Sequence, residues 1–134
     1  MRFPIVIHQE NDSAFGVIVP DMPGCFSAGD TLDEALENVH EAIDMYMEEV
    51  VNGHEAVPVP SALDTVVSNP DHEGGTFFLV EVDLPKYLGK ADKINVTLPR
   101  YLIDRIDHAV NEGRYKSRSG MLAESAMSAL AQLK

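Results

Sequence analysis

Three polar side chains at alternate positions, Lys93, Asn95 and Thr97, carry the clearest chemistry in this 134-residue chain. They interleave with Ile94, Val96 and Leu98, so an extended backbone puts the polar set on one face and the apolar set on the other. Each has a partner on the edge of a base pair: Lys for guanine O6 and N7, Asn for adenine N6 and N7, Thr for the thymine methyl. A two-stranded ribbon fits the DNA major groove, so this strand can read bases if two copies pair.

The other reactive residue types are not spaced for catalysis. A metal-dependent nuclease needs several carboxylates converging on two ions. The sequence offers Glu10 near the end of its first strand, Asp12 in the following turn, and Glu81 with Asp83 on one face of its last strand. His8, His40, His54, His72 and His108 show no metal-ligand spacing. Cys25 follows a Pro-Gly turn and is expected to pack as a small apolar residue. No catalytic residue, metal site or cofactor is expected. Cys25 is the only cysteine, which excludes an internal disulfide and fits a reducing compartment. The apolar run at the start is too short for a signal peptide, and no stretch approaches the ~18–20 apolar residues of a membrane span. A soluble cytoplasmic protein with no membrane partner is expected.

These residues sit in a chain whose charge is divided. Residues 1–89 hold two basic residues, Arg2 and Lys86, against 17 acidic ones, a net of −15. Residues 90–134 hold eight basic and five acidic ones, a net of +3. That asymmetry suggests two modules with different partners.

The patterning predicts strands at residues 3–10, 14–20 and 25–28, with a turn at Asn11-Asp12-Ser13. A helix follows from Leu32 to Asn52, opened by a Thr31/Glu34 capping box and stopped at Gly53. Its outer face carries Asp33, Glu37, Glu41 and Asp44. A loop with a short helix near Ala62–Val67 leads to a strand from Thr76 to Leu84, whose apolar run suits a central place in a sheet. The first domain is thus an α/β module of order β-β-β-α-β over residues 1–84, and residues 85–92 form a linker. In residues 93–134, Pro99 or Arg100 opens a helix with apolar Leu102, Ile103, Ile106 and Val110. Gly113 ends that helix, and Ser117 or Ser119 caps the next. One strand and two helices cannot close a core, so a two-fold dimer through an antiparallel ribbon is expected.

The strand Lys93–Leu98, Pro99, the Gly113 turn and Ser117-Arg118-Ser119-Gly120 resemble the ribbon-helix-helix family. That resemblance implies base contacts by Lys93, Asn95 and Thr97. It also implies a DNA phosphate held at the start of the last helix by Ser117, Arg118 and Ser119, with Arg100 as a further phosphate contact.

The first domain resembles the HicB-type antitoxin family through Phe15-Gly-Val-Ile-Val-Pro20-Asp21-Met22-Pro23-Gly24-Cys25 and Gly29-Asp30-Thr31-Leu32-Asp33-Glu34-Ala35-Leu36. Asn38, Ala42, the strand Leu79–Leu84 and Lys86-Tyr87-Leu88-Gly89 extend the likeness. It implies a partial RNase H-like fold, and an antitoxin that sequesters a HicA-type toxin, a small basic RNase, and represses the shared operon at operator DNA. A module at −15 attracts a basic RNA-binding protein and repels RNA. Asp33, Glu37, Glu41 and Asp44 are one candidate toxin contact. Higher oligomers through the first domain are open. Two other functions stay open at this level: a ribbon-helix-helix regulator whose first domain senses a small ligand, and an RNase H-like nuclease.

Overall fold

The structure, a computed structural model, describes residues 1–133. Its elements are β1 (Arg2–Gln9), β2 (Phe15–Ile18), β3 (Phe26–Gly29), α1 (Leu32–Asn52), α2 (Leu63–Val67), β4 (Thr76–Glu81), α3 (Leu84–Leu88), α4 (Arg100–Asn111) and α5 (Arg118–Ala131), with a 3₁₀ turn at Pro70–His72. The chain divides into two compact units, Met1–Gly89 and the residues from Lys90 onward.

In the first unit the four strands form one antiparallel sheet in the order β3-β2-β1-β4. The apolar run of β1 places it inside the sheet, where Phe3, Ile5, Val6 and Ile7 are buried on both faces. β4 was expected at the centre and lies instead at the edge, paired only with β1. Its apolar run fills both faces of an edge strand, and Phe78 and Leu79 stay exposed. The strand also ends at Glu81 rather than Leu84. Pro85 has no N–H for a ladder, and it stands at the first turn of α3, where none is needed. Residues expected to be linker therefore begin as helix.

α1 forms where its spacing demands. Thr31 Oγ1 accepts the Glu34 N–H at 3.1 Å, and Ala35, Val39, Ile43, Met47 and Val50 make the buried stripe. Its N-terminal turn lies against β3, where Ser27 Oγ donates to the Ala35 carbonyl at 3.0 Å. Gly29 permits this approach, because a Cβ there would stand 2.4 Å from the Ala35 nitrogen. The helix stops in a Schellman arrangement: the Glu55 N–H reaches the Val50 carbonyl and the His54 N–H reaches the Val51 carbonyl. Gly53 was expected to supply the stop. It has φ −82°, and the left-handed residue is His54, at φ 53°.

The second unit has the expected helices and a thin core. Pro99 precedes α4, Gly113 at φ 80° ends it in a second Schellman turn, and Ser117 Oγ accepts the Gly120 N–H at 3.0 Å to cap α5. Among the described residues of the unit Ile106 is the buried apolar one, and α5 buries none fully. Residues 90–99 have no regular secondary structure and no strand partner among the described residues.

Candidate functional site

Lys93, Asn95 and Thr97 are all exposed, on the segment without regular secondary structure immediately before α4. Ile94 and Val96 between them are 77% and 59% exposed, so the apolar side of this segment is left uncovered by the described residues. Arg100 opens α4 and is also exposed.

At the start of α5, Ser117 uses its side chain to cap the helix, and Ser119 is exposed. Arg118 is engaged: its Nε donates to Asp107 Oδ1 at 2.6 Å and its Nη2 to Oδ2 at 2.7 Å. This two-pronged bond holds the Asp107 carboxyl below the usual carboxylate range. It ties α5 to α4, and it means that Arg118 reaches a phosphate only by leaving Asp107. Sequence reasoning missed the pair because the two residues are eleven apart on different helices.

On α1, Asp33, Glu37 and Glu41 are exposed on the outer face. Asp44 is half-buried and already bonded. It accepts from the Tyr87 hydroxyl and, at 3.1 Å, from Lys86 Nζ. The Tyr87 bond, followed by Lys86, draws the Asp44 carboxyl down. Burial first, then Asp44, push the Tyr87 phenol up to about 12. Asp44 therefore fastens α3 to α1, a role the sequence hid because α3 was not foreseen.

The nuclease carboxylates are dispersed. Glu81 pairs across from Arg2 at one end of β1, and Glu10 follows the other end, roughly 27 Å away at ~3.4 Å per residue. Glu81 bonds the N-terminal amine at 2.9 Å, and Asp83 lies past the strand, before α3. Among the described residues no cluster of three His, Cys, Asp or Glu could hold a metal ion. His72 is buried with Nδ1 on the Val66 carbonyl at 2.8 Å and its ring edge on Phe77, which is a packing role. Cys25 is buried, and that burial raises its thiol pKa, the opposite of an activated nucleophile. Among the described residues no helix is long and apolar enough to cross a membrane.

Fold and site together define an α+β protein with a four-stranded antiparallel sheet, a strongly acidic first unit and a basic second one. A family model described as "HicB_like antitoxin of bacterial toxin-antitoxin system" matches residues 3–126. The chain belongs to that HicB-like antitoxin family. It is 40% identical, over 97% of its length and 98% of the relative's, to an "Uncharacterized 14.9 kDa protein in rep-hol intergenic region" of Haemophilus phage HP1 (strain HP1c1). Among solved structures it is similar to the antitoxin HicB3, with a TM-score of 0.85 and 34% identity over 99% of this chain and 100% of that one. It is also similar to a chain of the HicA3 and HicB3 toxin-antitoxin complex, with a TM-score of 0.53 and 31% identity over 62% of this chain and 99% of that one.

Proposed function

We propose that this chain is an antitoxin with two tasks. Its first unit, a partial RNase H-like module, binds and neutralises a HicA-type toxin, a small basic RNase. Its second unit, a ribbon-helix-helix module, joins a second copy and binds operator DNA to repress its own operon in the cytoplasm. The observation that carries this reading is the split of charge between the units, −15 in residues 1–89 and +3 in residues 90–134, in a member of an antitoxin family. The acidic unit repels polynucleotides and attracts a basic RNA-binding protein.

The uncovered Ile94 and Val96 support the dimer. A matching strand from a second copy would cover them, supply hydrogen-bonding partners, and leave Lys93, Asn95 and Thr97 of both chains on the opposite face. Phosphate contacts from Arg100, Ser117, Arg118 and Ser119 would fix that ribbon in the groove.

Asn95→Ala separates the two tasks. It is expected to weaken specific operator binding by roughly 1–3 kcal/mol and to relax base choice, while toxin neutralisation is unchanged. Electrophoretic retardation of the promoter fragment, run beside a toxin-inhibition assay, checks this. Unchanged operator binding would remove the base-reading role, and loss of both activities would contradict independent modules.

A further inference from the structure

The toxin-binding reading of the first unit leaves open which surface makes the contact. The sheet has one face toward α1, marked by Ser27 and its cross-strand partner Val17. On the other face Phe26 of β3 pairs with Ile18 of β2, Ile18 pairs with Val6 of β1, and Pro4 of β1 pairs with Leu79 of β4. The segment between α1 and β4 covers part of this face. Gly75 sits so close that a Cβ there would stand 2.5 Å from Val6 Cγ1, and His72 lies against Phe77. Phe26 and Ile18, side by side, remain 69% and 37% exposed, and Leu79, 45% exposed, lies beyond the covered Val6 and Pro4. An apolar row with a phenyl ring in water is the kind of surface that marks an interface.

Charge selects its occupant. The two basic side chains of the unit are both held by carboxylates, Arg2 by Glu81 at 3.4 Å and Lys86 by Asp44 at 3.1 Å. The exposed acids Glu10, Asp12 and Asp30 lie in the turns that flank these strands. A second copy of the unit would bring another −15 onto the row, and nucleic acid would be repelled. We infer that the Phe26–Ile18–Leu79 row is the docking face for a small basic protein, which sets an apolar surface on the row and cationic side chains in the surrounding acidic field. The toxin of the preceding reading has that chemistry. In this arrangement the row supplies affinity, and the acidic field supplies encounter rate and selectivity. The outer face of α1 is then peripheral to the contact.

The test is calorimetric titration of a HicA-type toxin, a small basic RNase, into the full-length protein, as wild type, Phe26→Ala and Glu37→Ala. Phe26→Ala removes an exposed ring and leaves the core intact. It is expected to weaken toxin binding about tenfold or more, with Glu37→Ala close to wild type. Leu79→Ala provides a second readout from the far side of the row, with a smaller loss in the same direction. Wild-type affinity in Phe26→Ala overturns the docking face while leaving the antitoxin function standing. A fall in oligomeric size with unchanged toxin affinity, measured by sedimentation, would also overturn it and assign the row to a second copy. A wild-type chain that does not bind the toxin would instead overturn the function on which this surface depends.

Discussion

Arg118 shows how a residue singled out from sequence can have a partner that the sequence does not reveal. Its position before the last helix is visible in Ser117-Arg118-Ser119-Gly120, but its partner Asp107 is set by the way α4 and α5 meet. On the proposed function, Asp107 competes with DNA phosphate for the guanidinium. Asp107→Asn is expected to raise affinity for DNA of every sequence and to steepen the salt dependence of binding by about one in log-log slope. Binding titrations at several salt concentrations check this, and an unchanged slope would keep Arg118 as a purely structural tie. Asp44 is the same lesson with a titration attached. Its carboxyl is lowered by Tyr87 first, so the charged form favours the folded state. That contribution is complete above the ordinary value of 3.8 and fades as pH falls through the lower folded value. Tyr87 is raised, chiefly by burial, from 10.0 to about 12, so its neutral form favours the folded state and that contribution fades as pH climbs past 10.0. Asp44→Asn is therefore expected to flatten the melting-temperature profile at the acid end and to reduce, without abolishing, its alkaline slope, with an effect within about 1 kcal/mol because solvent screens a pair that is only half-buried. Thermal melts across pH measure it, and identical profiles would show that the bond contributes nothing.

Among the elements, α1 is legible in the sequence because everything that defines it is local: a Thr cap, a four-residue apolar spacing and an adjacent stop. Its last turn is less legible, since Gly53 looks like the left-handed residue and His54 takes that role. A side chain in that conformation costs about 1–2 kcal/mol, partly offset by the entropy a glycine loses on folding. His54→Gly is accordingly expected to stabilise the first unit by about 0.5–1 kcal/mol in denaturant melts, and destabilisation would mean that the His54 side chain makes a favourable contact. Strand order is harder to read than strand existence. Thr76–Glu81 reads as a strand from its residues, but two apolar faces fit both a central strand and an edge strand that carries a binding surface. α3 was missed because Leu84-Pro85 continues an apolar run, and nothing local marks that proline as the first turn of a helix.

At the scale of the whole molecule, the division of charge is fully legible, because net charge is a sum over residues and needs no coordinates. The family membership follows from motifs in the first unit and is confirmed by a match that spans residues 3–126. The pairing of Lys93–Leu98 remains an expectation about two chains, since its apolar side has no partner among the described residues of one. The central claim is that an acidic head neutralises a basic RNase, and RNA cleavage by a HicA-type toxin, followed as this protein is titrated in, tests it most directly. Cleavage is expected to stop near one antitoxin chain per toxin, with weaker inhibition at high salt. Undiminished cleavage at several-fold excess of this protein would contradict the claim.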